Sequence, residues 1–439
     1  LLRLRFYSAH PPVAGRKKIS MAVIDKRVSE VLRVKFRLGL FDQPYVADTK
    51  AADRVGGADR NMDFVKQMQQ QALVLLKNEN NILPLDKRQI KKVLVTGPLA
   101  DEDNFMTSRY GPNGLETVTV LAGLRNYLKG IAEVDYAKGC DIVDAGWPAT
   151  EILPAPMSEQ EKQGIAEAVA KAGESDVIIA VLGEDEYRTG ESRSRTSLDL
   201  PGRQQQLLEA LHATGKPVIL VLINGQPLTV NWANAYIPAI LESWFPGCQG
   251  GTVIAETLFG EHNPGGKLTV TFPKSVGQIE LNFPFKPGSH GAQPHSGPNG
   301  SGATRVIGEL YPFGFGLSYT TFAYSDLEVS PLQQHNTQGE YTIKVNVTNT
   351  GKRAGDEVVQ LYVRDKVSSV ITYDSQLRGF ERVSLQPGET RQVTFSLKPE
   401  DLQILDRNMN WTVEPGEFEV MIGSSSQDIR LKKTITALP

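Results

Sequence analysis

Residues 177–182, Val-Ile-Ile-Ala-Val-Leu, form an unbroken apolar run; GEDEYRTGESRSRTSLDLP follows at once, and QQQLLEAL then reads as an amphipathic helix. A strand of this composition is buried on both faces, which demands helices packed over a mainly parallel sheet. In such sheets the ligand-binding loops lie just beyond the strand C-termini. Glu184, Asp185, Glu186 and Glu191 therefore stand where chemistry is usually carried out. A solvated loop whose charges only keep it wet is the alternative that composition alone leaves open.

The same alternation runs along much of the chain. MDFVKQMQQQALVLLKNENNILPL predicts a helix, a short strand and a turn at Asn80, Asn81 and Pro84. KKVLVTG, VIIAVLG, KPVILVLING and AILESWFPG are the strands that follow, with helices over Ser158 to Ala172, Gly202 to Ala213 and Gly250 to Phe259. Strands alternating with helices indicate an α/β sandwich, a mainly parallel sheet flanked by helices. After Tyr319 the pattern becomes EYTIKVNVTNTG, DEVVQLYVRD, LRGFERVSL, ETRQVTFSL and GEFEVMIGSSS, short strands separated by turns such as Pro387-Gly388 and Pro415-Gly416. That spacing predicts an all-β sandwich. The expected domains are 1–60, 61–318 and 319–439. A cleavable boundary is expected between Phe285 and Thr304 or near Tyr319.

At 439 residues the chain exceeds one ordinary hydrophobic core, so several domains are required. Its 47 basic residues are outnumbered by 50 acidic ones and form no basic stripe, which excludes a nucleic-acid partner and suits a neutral polar substrate. No apolar run approaches the roughly 20 residues of a membrane span. Cys140 and Cys248 are expected to be free, buried thiols rather than a disulfide or metal pair. His290 and His295 lie in a Gly/Pro/Ser-rich loop without carboxylate or thiol neighbours, so neither a metal nor a cofactor is expected. Near the N-terminus, Ile24, Val28, Val31, Leu32 and Phe36 recur at helical spacing, and Gly39 supplies a stop. That apolar stripe needs a partner surface, which the preceding residues are too few to supply. The opening residues show no Met and no signal peptide, as expected of a chain cut from something longer.

In order, VLRVKFRLGLFDQPY, ALVLLKNENNILPL, SRTSLDLPGRQQQLLEAL, WFPGCQGGTVIAETLFGEHNPGGKLTVTFP and YPFGFGLSYTTF closely resemble the C-terminal half of family 3 glycoside hydrolases, from about Ile19 to the end. The resemblance implies a (β/α)₈-type barrel followed by an α/β sandwich and a fibronectin type III-like domain. It also implies a retaining exo-acting β-glucosidase, or a β-xylosidase, acting on a β-glucoside or β-linked oligosaccharide in the periplasm or outside the cell. In that family an aspartate nucleophile lies in a Ser-Asp-Trp type motif of the barrel. No such motif occurs here, and a barrel of roughly 250 residues does not fit ahead of Asn61. Residues 1–60 are therefore expected to be a barrel remnant and linker, with the nucleophile in a missing N-terminal barrel.

The resemblance places the acid/base at Glu191, ten residues before Pro201, with Glu186 as the alternative in a loop that shifts between relatives. A general acid must stay protonated near neutral pH, so Arg193 and Arg195 are expected to turn elsewhere, toward Glu184 or Glu186. Glu184 is expected to stabilise the loop where it leaves its strand. Arg109 and Tyr110, in MTSRYGPNG, correspond to a loop that approaches the sugar; Tyr110 either stacks on a pyranose or merely packs its loop. Trp244 and Tyr311 are assigned to the core and the domain interface, and Gly314, Gly316 and Ser318 to a tight connection into the last domain. Two functions compete: part of a β-glycosidase, or a noncatalytic carbohydrate-binding or interaction protein left after loss of the barrel. The oligomeric state is open.

Overall fold

The computed structural model describes residues 20–111, 115–286, 306–335 and 339–439. His290 and His295, and most of the boundary expected between Phe285 and Thr304, lie outside the described residues. Two compact units are present, Leu1–Asn61 and Met62–Pro439.

The first unit is built around helix α1, Met21–Arg37, which begins at Ser20, whose hydroxyl accepts from the Val23 amide. It ends at Gly39, which takes a φ of 67° that favours glycine. None of its residues is buried, so the stripe of Val28, Val31, Leu32 and Phe36 is exposed. A shorter helix, α2, Ala51–Gly56, follows.

The second unit opens with the end of helix α3, Asp59–Ala72, which runs into strand β1, Val74–Asn78. A six-stranded sheet then forms from β1, β2 (Lys92–Thr96), β3 (Glu133–Ala137), β4 (Val177–Gly183), β5 (Val218–Ile223) and β6 (Ala239–Glu242). Its order is β1-β6-β5-β4-β2-β3, and only β1 runs antiparallel to its neighbour. Alternate residues of each strand enter different cores. Val95, Ile179, Val181 and Val221 pack under helices α4 (Val120–Tyr127) and α8 (Gly250–Leu258). Leu94, Ile178, Leu182 and Leu220 pack under α5 (Glu159–Gly173), α6 (Gln204–His212) and α7 (Asn231–Tyr236). The apolar runs are continuous because both faces are covered. Helices α4 and α8 approach so closely that a Cβ on Gly123 would overlap the Gly251 backbone.

Strand β3 and helix α4 carried no clear signal in the sequence. Strand β3 is an edge strand whose residues Glu133, Asp135 and Tyr136 are not fully buried, so its pattern lacks the apolar run that marks the central strands. Helix α4 has only eight residues.

The remainder is a β-sandwich. One sheet has the order β11-β10-β15-β16-β8 and the other β12-β9-β7. The strands are β7 (Phe322–Ser330), β8 (Gln333–His335), β9 (Tyr341–Asn349), β10 (Gly355–Asp365), β11 (Gln376–Leu385), β12 (Thr390–Leu397), β15 (Gly416–Gly423) and β16 (Ile429–Leu438), with a short hairpin of β13 (Ile404–Leu405) and β14 (Trp411–Thr412). Strands β9 to β12 and β15 follow the sequence pattern; β7, β8, β16 and the hairpin were not anticipated. In β9 buried and part-buried residues alternate strictly, as expected of a sheet covered on one face. Strand β10 is buried continuously from Glu357 to Val363 because its second face lies on the preceding domain: Gln360 donates to the carbonyls of Gly314 and Ser424, and the Tyr362 ring stands edge-on to Phe283.

The connection between the two layers is pinned rather than loose. Leu317 bridges to Leu75, Asn263 accepts from Ser318 and from the Tyr319 amide, and the Tyr319 hydroxyl donates to the Thr257 carbonyl. The stretch near Tyr319 is thus not the exposed boundary that its glycines suggested. Tyr311 is buried against Phe272 and Phe315, Trp244 lies edge-on to Phe272, and the Gly314 amide donates to the Leu268 carbonyl. At the same junction the part-buried Lys267 donates to the Gly316 carbonyl and pairs with the buried Glu357 at 3.5 Å, and Tyr324 donates to Glu357 at 2.9 Å. Cys140 and Cys248 are free and buried, and burial pushes the Cys140 thiol up to about 12. No described helix is long and apolar enough to cross a membrane.

Candidate active site

Strand order reverses between β2 and β4. From β2 the chain proceeds outward to β3, and from β4 it proceeds the other way to β5 and β6. The loops leaving these neighbouring strands diverge, which opens a crevice beyond their C-termini. The two loops are those the sequence singled out: one carries Arg109 and Tyr110, the other Glu184 to Asp199.

The loop after β4 starts at Gly183, whose φ of 138° and close contact with the Ile223 carbonyl exclude a side chain. The buried Gln204 clasps this residue, accepting from its amide at 2.7 Å and donating to its carbonyl at 2.9 Å. Glu184 is fully buried and pairs with Arg195, whose guanidinium also holds Glu151 at 2.9 Å and the Asp199 carbonyl. Glu151 further accepts from Thr196 at 2.6 Å and from the Trp147 indole at 3.1 Å. Asp185 pairs with Arg188, whose guanidinium lies over the Trp147 ring at 5.1 Å. Arg195 therefore does turn to Glu184, and Glu184 does brace the start of the loop. Burial raises the Glu184 carboxyl despite Arg195 and Gln226, because one of its oxygens is enclosed without a donor among the described residues. Burial likewise raises Asp185 against the pull of Arg188.

The tip of the loop is held from across the crevice. Arg109 donates to the Glu191 carbonyl at 2.9 Å, and the Tyr110 hydroxyl accepts from the Glu191 amide at 2.8 Å. Arg109 lies over one face of the Tyr110 ring at 5.5 Å, while Tyr110 remains 64% exposed. The Tyr110 hydroxyl is thus engaged in loop packing, and its exposed ring surface is open to a ligand. Both backbone groups of Glu191 are fixed, its side chain is exposed, and its carboxylate takes no hydrogen bond among the described residues. Glu186 is half-buried and also unbonded through its side chain. The structure brings Arg109, Tyr110 and Glu191 together; Glu186 lies on the same loop outside that contact.

Sequence reasoning missed a deeper layer. Gln226 donates to Glu184 at 2.9 Å, Asn224 donates to Glu242 at 3.2 Å and to the Gln226 carbonyl, and the Trp244 amide donates to Glu242 at 2.8 Å. Glu242 is fully buried, and burial pushes its carboxyl up to about 8. The only signal was an acidic residue closing an otherwise apolar strand, AILE. Trp244 takes a φ of 54°, uncommon for a bulky residue, at the same end of the sheet. Among the described residues no three His, Cys, Asp or Glu side chains are placed to hold a metal.

Residues 73–319, spanning the whole sheet and both loops, match the model of the glycosyl hydrolase family 3 C-terminal domain. The chain belongs to glycoside hydrolase family 3. Residues 357–426 match the fibronectin type III-like domain that follows it. Among family 3 relatives, a beta-xylosidase of Formosa agariphila is 41% identical over 94% of this chain and 55% of its own length. A periplasmic beta-glucosidase of Salmonella typhimurium is 38% identical over 97% of this chain and 57% of its own. The structure of a Listeria innocua beta-glucosidase in complex with glucose superposes with a TM-score of 0.82 at 30% identity, covering 97% of this chain and 56% of that one. The chain thus spans a little over half the length of the family 3 proteins it matches.

Proposed function

We propose that this chain is the C-terminal part of a retaining, exo-acting β-glucosidase in which Glu191 is the general acid/base. The observation that carries this reading is the pinned loop at the strand-order reversal, where Arg109 and Tyr110 hold both backbone groups of Glu191 and leave its carboxylate unbonded and exposed. A proton donor for a glycosidic oxygen needs such a free, positioned carboxyl. Described residues of this chain do not bury it, so in this reading an N-terminal barrel outside these 439 residues encloses it. The nucleophile comes from the same barrel, about 5 to 5.5 Å from Glu191 as retention requires. Helix α1, with its exposed apolar stripe, fits the end of that barrel. The periplasmic relative supports action there or outside the cell. The beta-xylosidase at 41% identity favours a second substrate, a β-xyloside, cut by the same residues.

The test joins this chain to its barrel. Glu191→Ala should slow glycosides with poor leaving groups by roughly 10² to 10⁴ and dinitrophenyl glycosides far less, because a good leaving group needs little protonation. Azide should restore turnover and give a glycosyl azide of retained configuration. Rescue confined to Glu186→Ala would move the role to Glu186. A uniform loss across substrates without rescue would reduce Glu191 to a packing residue.

A further inference from the structure

The sandwich presents a second set of sugar-like contacts on its own surface. A pocket of about 230 Å³ combines the polar side chains of Asp365, Gln376, Arg378 and Asp401 with Tyr373, Trp411 and the apolar Ile371, Leu402, Ile404 and Phe418. It shares Asp365 and the segment from Val370 to Tyr373 with an adjoining groove of about 620 Å³. Trp411, on the β13–β14 hairpin, is 68% exposed. Ile371 and Tyr373, which line the same pocket, are exposed as well, so the indole belongs to a group of exposed apolar side chains rather than standing alone.

The walls are preformed. Arg407 of the hairpin turn donates to the Ser369 carbonyl at 3.2 Å, the Ser369 amide donates to Glu414 at 2.8 Å, and Arg364 pairs with Asp374 at 3.1 Å. The Asp374 amide donates to the Phe285 carbonyl, and Asp406 accepts from the amides of Asn408 and Asn410 to close the hairpin. A ligand entering here has little chain to order, which favours binding.

The lining selects the ligand. Arg378 donates to Gln376, and Asp365 and Asp401 accept from the Val367 and Lys398 amides, yet the Arg378 Nε is enclosed without a partner among the described residues and the Gln376 amide and the two carboxylates keep hydrogen-bonding capacity that an apolar protein surface would leave unmet. Burial already raises Asp365 and lowers Arg378. A pyranose offers the complement: hydroxyls at its rim for carboxylates, amide and guanidinium, and a C–H face for the indole. We infer that the fibronectin-like sandwich carries a carbohydrate-binding site, with one ring of a β-linked oligosaccharide on Trp411 in the pocket and further rings along the groove. The inference rests on the reading that this protein handles β-linked saccharides.

The 439-residue chain itself is the reagent. Calorimetric titration with β-1,4-linked tetrasaccharides of glucose and of xylose should show saturable binding to at least one, with quenching of tryptophan emission. Trp411→Ala should weaken it roughly tenfold or more, Trp411→Phe should keep part of it, and Glu191→Ala should leave it unchanged. Circular dichroism confirms folding of each variant, and Gln376→Ala gives a second probe if Trp411→Ala unfolds. No binding at millimolar sugar, binding indifferent to Trp411 and Gln376, or binding lost only in Glu191→Ala would each overturn the inference. Turnover by the barrel-joined enzyme without sandwich binding defeats this site alone. Sandwich binding without turnover defeats the catalytic reading alone.

Discussion

Between pH about 4.5 and about 8 the folded chain holds a proton on Glu242 that the unfolded chain has released, because burial raises the carboxyl to about 8. The folded state binds more protons across that window, so stability is full below it and declines as pH rises through it, at up to about 1.4 kcal/mol per pH unit. Urea denaturation against pH should show this slope, and Glu242→Gln, which keeps the shape without the titration, should flatten it; an unchanged slope would assign it elsewhere. Arg195→Ala is a different test. It strands the carboxylates of Glu184 and Glu151 in a dry site, and loss of one partner of a buried pair typically costs about 3 to 5 kcal/mol. A shift of the denaturation midpoint corresponding to less than about 1 kcal/mol would show that solvent reaches the site. At this scale the sequence was only half legible. Glu191, Arg109 and Tyr110 could be named because they lie in loops of unusual composition that resemble a known family. Arg195 to Glu151 spans 44 residues of sequence, and the Asn224–Gln226–Glu242 layer is hidden inside strand ends, where a buried polar residue looks like an interruption.

At the scale of elements, helices α4 and α8 meet backbone to backbone at Gly123 and Gly251. Gly123→Val would have to push apart two backbones rather than side chains, and is expected to destabilise by about 3 kcal/mol or more, against near neutrality for the same change at exposed Gly173, where a Cβ meets open space. Thermal unfolding of the two variants side by side checks this. The difference between legible and illegible elements follows from burial. Strands β4 and β5 announce themselves because every residue is covered and can be apolar. Strand β3 has one neighbour, tolerates Glu133 and Asp135, and left no run to detect. Strand β16 alternates lysine and threonine with apolar residues along the face of a two-sheet core, which reads equally well as a polar tail.

For the whole molecule, the catalytic reading carries a negative expectation. This chain alone should not hydrolyse aryl β-glucosides above buffer, since an acid/base contributes roughly 10²- to 10⁴-fold and most of the remaining acceleration needs the nucleophile and the subsites that orient the sugar. Saturable turnover by the purified chain, free of host glycosidases, would locate the nucleophile within it.

The Lys267–Glu357 pair, with Tyr324 and Gln360 beside it, ties the two layers to one another's sequence. Two contacts cross between the layers: Lys267, which precedes the sandwich, pairs with Glu357 of it, and Gln360 of the sandwich donates to the Gly314 carbonyl, while Tyr324 supports Glu357 from within the sandwich. Burial lowers the Lys267 ammonium, and Glu357 opposes that shift. A sandwich transplanted from a distant gene would bring its own strand β10 and leave that part-buried lysine without its carboxylate. A gene break at the apparent domain border would separate Lys267 from Glu357, whereas one ahead of the whole α/β domain would keep the pair together.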